Sequence, residues 1–595
     1  MVGAGHAGAE AAFASANMGA KVLLITMSKK NIAKASCNPA IGGLAKGQIV
    51  NEVDALGGIM GRAADATGIQ FRILNRSKGP AVRSPRAQID KYKYSDFVRS
   101  ELENCSNLTI IENTVAEILV SDSKVKGVLC KDGKNFYAST VIITAGTFLA
   151  GIMHIGEKQY PGGRIGEPAS NELSMSLRQI GLEVKRLKTG TPARLDGDTV
   201  DYDKTQIQYG DEKITPFSFM TDEISREQIP CWITYTNEKI HKLLKDNLYR
   251  APLYTGQITT TGPRYCPSIE TKIMRFADKD RHQVFLEPED ENVTTIYCNG
   301  ISTSVPQDVQ DEMIHLMVGT ENAKIVHYAY AIEYDYCPAI QLKPNLETKK
   351  ISGLFLAGQI NGTSGYEEAA GQGLMAGIGA VRLLENKEPV ILSRDQAYIG
   401  VLIDDLLTRN IDEPYRMFTS RAEYRLSLRS DNADRRLTRI GREIGLVSNE
   451  RWAKFETKLE QIEKLKQYLM SRRCNGLSLW QQLKQPNSAI AETLKHDPGI
   501  VAMNLSEAAI ETTIIDAKYQ GYLLKQEKGV QQLLRLEHQK LPDDLDYNEI
   551  LHLRSEARQK LSAFRPYTLG QAGRIGGITP ADIMVIQIHL RKTCG

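Results

Sequence analysis

Cysteine is a residue type that can do covalent chemistry, and two of the nine cysteines stand in glycine- and proline-rich loops. Cys37 lies in SCNPAIGGLAKG (Ser36–Gly47) and Cys266 in GPRYCPSIETKIMR (Gly262–Arg275), while the other seven cysteines lie in less distinctive contexts. A thiolate is a strong nucleophile that adds to electron-poor carbon, although a lone cysteine is more often a small buried apolar residue. A second feature is Gly3-Ala4-Gly5-His6-Ala7-Gly8, the glycine spacing of a turn that lays backbone against a pyrophosphate at a helix N-terminus. A third is the stretch Arg409–Arg442, where nine arginines stand against five acids and Tyr415, Phe418 and Tyr424 are interleaved. That excess suits a phosphate backbone, and the rings suit unstacked bases. The bland reading is a solvated basic surface paired with Glu423, Asp431 and Asp434.

These groups need elements to hold them. Lys21–Thr26 (KVLLIT), Thr140–Ala145 (TVIITA) and Gly353–Ala357 (GLFLA) read as buried parallel strands. The last two lie far apart, so a large insertion, roughly 205–335, must separate them if they share a sheet. The FAD-type domain is therefore expected over 1–204 and 336–400. Only Met1 and Val2 precede Gly3, where a strand should stand, so the first strand is expected to be missing and the chain to start late. Beyond about 400 the texture turns helical. Trp452–Met470 has helical periodicity with interleaved Glu and Lys, and Asn548–Phe564 repeats it. Thr579-Pro580-Ala581-Asp582 is a capped helix start. The expected class is α/β: a Rossmann-like FAD-binding domain of the two-domain flavoprotein type, an inserted α/β domain, and an α-helical C-terminal domain over 401–595.

Composition bounds the rest. The chain has 595 residues, 42% of them apolar, and a formal net charge of +3, so any nucleic-acid contact must come from local charge. Neither CxxC pairs nor HExxH occurs, which disfavours a zinc site or a disulfide framework. No run is apolar and long enough to span a bilayer. A soluble, cytoplasmic protein is expected.

The glycine spacing alone is weak, but two more pieces follow in the right order. Thr144-Ala145-Gly146 ends an apolar strand, and Gly353–Gly373 (GLFLAGQINGTSGYEEAAGQG) has an Ala-Gly strand end before a Gly-rich helix start. Together they predict bound FAD. The acid that usually ends the second strand and holds the adenosine ribose is Thr26 here, which argues against an ordinary NAD dehydrogenase.

Ser36–Gly47, Phe71–Arg83 (FRILNRSKGPAVR), Leu187–Arg194 (LKTGTPAR), Gly262–Arg275, Pro414–Asp434 (PYRMFTSRAEYRLSLRSDNAD) and Arg574–Leu590 closely resemble signatures of the MnmG (GidA) family of tRNA-modifying flavoproteins. The resemblance covers essentially the whole chain. It implies modification of the tRNA wobble uridine to 5-carboxymethylaminomethyl- or 5-aminomethyluridine with the GTPase MnmE, as a heterotetramer. It also implies FAD, NADH, methylenetetrahydrofolate, glycine or ammonium, and a homodimer. Cys37 and Cys266 become the candidate catalytic thiols, since a thiolate adding at uracil carbon 6 makes carbon 5 nucleophilic; which of them attacks stays open.

FAD contacts carried over are Gly3, Ala4, Gly5, His6, Ala7, Gly8, then Val115 in a third strand, Ser170 and Gln359. The nicotinamide-nucleotide segment would be Gly262, Pro263, Arg264, Tyr265, Cys266, Pro267, Ser268, Ile269, Glu270, Thr271, Lys272, Ile273, Met274, Arg275 and Phe276. His6 and Lys46 are further polar residues in cofactor-facing motifs. Arg421, Arg425, Arg429 and Arg436 are the tRNA-binding candidates, and the apolar C-terminal helix is a candidate docking face for MnmE. The nearest rival is a folate- and flavin-dependent tRNA uracil-5-methyltransferase. Less favoured are a small-metabolite FAD oxidoreductase and a non-catalytic RNA-binding scaffold.

Overall fold

The glycine loop stands on a parallel sheet ordered Leu108–Glu112, Val22–Thr26, Val2, Val141–Ile143, Leu354–Leu356. This is a computed structural model, and it describes residues 1–264, 267–485, 490–537, 539–542 and 544–593. Val2 alone occupies the first-strand position, bridging Ile25 on one side and Ile143 on the other. Its amide donates to the Ile142 carbonyl (2.8 Å), and its own carbonyl accepts from Thr144 (2.9 Å). On the other side Met1 O accepts from the Ile25 amide and the Gly3 amide donates to Ile25 O (both 2.9 Å), so three residues bridge the two strands. The two strands expected on either side of the insertion are direct neighbours, with Leu354 opposite Val141 and Leu356 opposite Ile143.

Above this sheet the helix His6–Asn17, rich in alanine, crosses the helix Tyr366–Leu384. The crossing is close because glycines face it: a Cβ on Gly373 would stand 2.1 Å from the Ala7 carbonyl oxygen. Only hydrogen fits there.

The insertion forms an antiparallel six-stranded sheet ordered Gln206–Gln208, Cys231–Tyr235, Gln283–Pro288, Thr295–Asn299, Arg194–Asp196, Ile325–His327. It has its own apolar core, from Leu195 through Val284 and Ile296 to Ala323. The expected boundaries at 205 and 335 shift accordingly. Arg194–Asp196 belongs to the inserted sheet, and Tyr330–Tyr336 lies in a four-stranded sheet with Ile152–Ile155, Lys158–Pro161 and Lys185–Thr191. Val115 also differs from expectation. It opens the antiparallel meander Val115–Ser121, Lys124–Cys130, Asn135–Tyr137 instead of the third parallel strand, which is Leu108–Glu112.

The last third is helical, with Tyr398–Thr408, Ala433–Glu443, Asn449–Ser471, Glu507–Glu537, Ser555–Phe564 and Pro580–Thr593 as its main helices. Asn548–Phe564 is helical only from Ser555. Two small cores hold this part, one around Leu465, Trp480 and Ala517, the other around Tyr547, Leu561, Ile586 and Leu590. The predicted cap is present: Thr579 Oγ1 donates to Asp582 Oδ2 (2.7 Å), and the Asp582 amide donates back to Thr579 Oγ1 (3.4 Å). No helix among the described residues is long and apolar enough to cross a membrane.

Candidate active site

The glycine loop reads differently at each position. Gly3 sits at φ +91°, and a Cβ on Gly8 would stand 1.9 Å from the Gly3 carbonyl oxygen, so the turn closes on itself. A Cβ on Gly5 meets nothing within 4 Å. Gly5 caps the helix His6–Asn17, and no side chain caps that terminus. Amide dipoles therefore point from the helix end into open space, which is what an anionic group needs. Thr144 Oγ1 secures the loop from below by donating to the Val2 and Gly3 carbonyls (both 2.9 Å). Gln359 lies beside the second glycine turn, 3.9 Å from where a Gly146 Cβ would stand. Ser170 is buried next to that turn, its amide donating to the Phe148 carbonyl (2.7 Å). The acid missing at Thr26 has a counterpart one strand over. Glu112 is in register with Thr26, and its carboxylate accepts from the Lys29 amide (2.7 Å).

Cys37 lies where this domain meets the insertion. Its Sγ is 3.0 Å from Tyr297 Oη, and its amide donates to Tyr366 Oη (2.6 Å). The residues on either side are held by the insertion too. Ser36 O accepts from the Arg194 guanidinium (2.7 Å), and Asn38 donates to Glu287 (3.3 Å), which also binds Arg86 (2.7 Å) and Asn299 (3.1 Å). Arg194 stacks over the Tyr297 ring at 4.9 Å. Burial works against the Arg194 charge but is outweighed by Glu289 and the neighbouring tyrosines, which raise its basicity. Burial also raises Tyr330 and Tyr366, so both stay protonated hydroxyls at neutral pH.

Tyr366 links this thiol to the glycine loop, because its ring stacks on His6 with centroids 4.4 Å apart. His6 is buried, which lowers its pKa to about 4, and its Nε2 has no hydrogen-bond partner among the described residues. The imidazole is therefore neutral and has a free ring nitrogen. Beside it Lys46 pairs with Glu367 (2.7 Å) and Glu368 (3.4 Å). Burial opposes the charge on Lys46, but the two carboxylates prevail and raise its pKa. Glu367 also takes the Gly42 amide (2.7 Å) and Glu368 the Met417 amide (3.1 Å). Thr363 bridges Tyr415, so the start of the arginine-rich stretch runs alongside the Gly-rich turn.

Within that stretch the four arginines separate. Arg429 is fully buried and pairs with Asp431 (2.8 Å) and Asp516 (2.8 Å), so it ties helices together and faces no solvent. Arg436 is engaged by buried Glu52 (3.0 Å) and the Gln396 carbonyl. Arg425 is exposed, and Arg421 lies over Tyr415 at 4.4 Å. Arg421 lines an open cavity of about 490 Å³ with Arg394, Arg409, Phe418, Ser420, Glu423 and Arg574. Arg425 and Arg429 stand in irregular chain, since 409–432 forms two short 3-10 turns and no helix. Tyr415 is buried, its hydroxyl donating to Asp405 (3.0 Å), and is unavailable for stacking.

The proposed nucleotide segment is mixed as well. Tyr265 and Cys266 lie outside the described residues. Ser268 caps the helix Ile269–Arg275, whose Ile269 and Ile273 are buried in the insertion's core. Glu270 is buried and accepts from Thr303 Oγ1 (2.6 Å), so these three serve the interior. Met274 and Phe276 are exposed, and Arg264 pairs with Glu413 (3.3 Å). No motif marks Tyr297, which sits in an ordinary strand. Glu367 and Glu368 were visible in the late glycine motif but had no partner to mark them.

The model of the glucose inhibited division protein A family matches residues 1–388. Models of the C-terminal helical domain and helical bundle of the tRNA modifying enzyme MnmG/GidA match 449–527 and 529–594. The tRNA uridine 5-carboxymethylaminomethyl modification enzyme MnmG of Syntrophotalea carbinolica is 51% identical over 100% of this chain and 98% of its own. The enzyme of that name from Geobacter sulfurreducens is 50% identical over 100% and 97%. The form I crystal structure of Aquifex aeolicus GidA, 47% identical, superposes with a TM-score of 0.92 over 99% of both chains. With matching models along its length and half its residues shared end to end with these relatives, the chain belongs to the MnmG/GidA family.

Proposed function

We propose that this chain is an FAD-dependent enzyme that installs a carboxymethylaminomethyl or aminomethyl group at carbon 5 of the wobble uridine of certain tRNAs. In this reading it works with the GTPase MnmE, NADH, methylenetetrahydrofolate, and glycine or ammonium, and forms a homodimer. One observation carries it: Tyr366 holds the Cys37 amide with its hydroxyl and the glycine-loop His6 with its ring. A candidate nucleophile and a dinucleotide cradle therefore share one wall.

The residues present fit a flavin dinucleotide. The helix end at Gly5 is open and uncapped, and His6 Nε2 is buried without a partner among the described residues. Gly3 to Gly8 would hold the pyrophosphate, with Gln359 and Ser170 contributing from neighbouring turns and Val115 from the start of the strand Val115–Ser121. Reduced flavin, when bound, supplies the hydride that transfer of a folate carbon needs, and NADH replenishes it.

The chain's own part is to activate the base. Of the two candidate thiols this reading takes Cys37, which shares Tyr366 with the glycine loop, as the one that attacks: it gives up its proton and its sulfur bonds to uracil carbon 6. The carbon 5–carbon 6 electron pair moves onto the carbonyl as an enolate, which makes carbon 5 the nucleophile. After substitution, loss of the carbon 5 proton expels the thiolate and restores the ring. Mass spectrometry of tRNA nucleosides from a deletion strain complemented with the chain, or with Cys37→Ser or Cys266→Ser, tests this. The parent chain should restore the modified nucleoside and each serine variant should not, while flavin absorbance stays normal. Serine has a similar volume but a far less ionised hydroxyl. Normal modification by a serine variant would remove that cysteine from the chemistry.

A further inference from the structure

The insertion grips three consecutive residues of the cysteine loop, and the middle grip falls on the sulfur. We propose that Tyr297 is a positioning residue for the Cys37 thiol, its hydroxyl donating a hydrogen bond to the thiolate. The inference rests on the assignment of Cys37 to the uracil chemistry.

Among the described residues, four groups face Cys37. Tyr366 already accepts the Cys37 amide hydrogen (2.6 Å), so its hydroxyl is oriented by the backbone. Tyr330 interacts with Cys37 electrostatically. Arg194 is spread over the Ser36 and Pro192 carbonyls, Thr191 Oγ1 and Glu289, and cannot swing to the sulfur without leaving them. Tyr297 is the hydroxyl that reaches Sγ among the described residues, at 3.0 Å. Its ring is buried and lies under the Arg194 guanidinium. A cation over the π face draws electron density from the phenol and makes its O–H a better donor. A hydrogen bond to the charged form of an acid favours that form. The thiol proton leaves to solvent, the tyrosine keeps its own, and nothing is oxidised or reduced.

Tyr297 and Arg194 both belong to the insertion, whereas Cys37 belongs to the cofactor domain. The insertion thus supplies the hydroxyl that touches the sulfur.

The test is alkylation of the full chain by iodoacetamide, with Cys37 modification followed by peptide mass from about pH 6 to about pH 10. In Tyr297→Phe the Cys37 profile should move to higher pH by about one unit, the size of one lost hydrogen bond to a charged group. Half-buried Cys105, which accepts from Asn17 (3.8 Å), should react as before. Replacing Tyr297 by 4-aminophenylalanine, which stays a neutral donor across this pH range, keeps the packing and a hydrogen bond to the sulfur and should hold the profile close to the parent's. Superimposable Cys37 profiles in the parent and both variants would overturn the inference. Loss of tRNA modification in Tyr297→Phe without a moved profile would also overturn it, leaving the reading of the site intact. A moved profile alongside a fully active Cys37→Ser would uphold the pair and overturn the uracil assignment instead.

Discussion

Gly8 and Gly3 touch so closely that a methyl on Gly8 would lie 1.9 Å from the Gly3 carbonyl oxygen, while the same methyl on Gly5 meets nothing within 4 Å. One glycine is there for the turn and the other for what sits above it. Gly8→Ala should destabilise the folded chain by about 1–3 kcal/mol, the usual cost of overpacking. Gly5→Ala should melt like the parent when free of flavin, yet bind flavin about tenfold more weakly or worse. Thermal melts and an absorbance titration separate the two. Equal loss of stability in both variants would contradict this division.

Glu10 should contribute a fall in stability as pH rises through the weakly acidic range, against the rise contributed by buried His6, whose pKa is lowered to about 4. The Glu10 carboxyl is buried in the helix His6–Asn17, accepting from the Ile59 and Met60 amides, and burial raises its pKa to about 7. The folded state therefore holds a proton that the unfolded chain releases from about pH 4.5. Stabilisation is full below that pH and is lost as pH approaches 7. Glu10→Gln should flatten the decline between about pH 5 and pH 8 by roughly 2–3 kcal/mol. Buried Asp65, also raised to about 7, leaves a residual slope. Chemical denaturation at several pH values measures this, and an unchanged slope in Glu10→Gln would count against it.

Arg425 and Arg429 should fail in different ways. Arg425→Ala removes an exposed cation, so tRNA binding should weaken and the salt dependence lose about one unit of slope, with no change in melting. Arg429→Ala leaves Asp431 and Asp516 short of a buried partner and should cost about 3–5 kcal/mol. Filter binding at several salt concentrations, beside thermal melts, distinguishes them. A salt slope unmoved in Arg425→Ala would take that residue off the RNA path.

The C-terminal helix divides as well. Ile583, Ile586 and Leu590 are buried in its own small core, while Met584 and Ile588, four residues apart, are exposed. Met584→Asp with Ile588→Asp should leave flavin binding and melting intact but abolish co-purification with the GTPase proposed as its partner. Deleting the whole tail would be a poorer test, because Arg574 pairs with Asp404 (2.6 Å) and its removal strips a buried contact. Undiminished co-purification of the double variant would move the docking face elsewhere.

What could be read from the sequence was what the backbone demands locally. The glycine turns, the three apolar strands and the capped terminal helix each follow from residue types within a few positions. The grip on Cys37 could not be read, since Tyr297, Arg194 and Glu287 reach it only when two domains dock. The arginine stretch misled for a related reason. Charge looks exposed in a sequence, and the partner of Arg429, Asp516, comes from a distant helix. Tyr415 misled in the same way, being aromatic near arginines yet buried against Asp405.

The pairing of Leu354–Leu356 with Val141–Ile143 also sets an order of events during synthesis. The parallel sheet cannot be completed until the ribosome has released residue 356, after the whole insertion has emerged. The insertion has its own core and need not wait. It is expected to fold first, shortening the loop that the late strand must close. Until then Val141–Ile143 presents an unpaired edge, a target for misassembly or proteolysis in the nascent chain. An insertion weakened at Ile296 or Val284 would therefore delay completion of the cofactor sheet, a defect visible in the yield of refolded protein before any loss of catalysis.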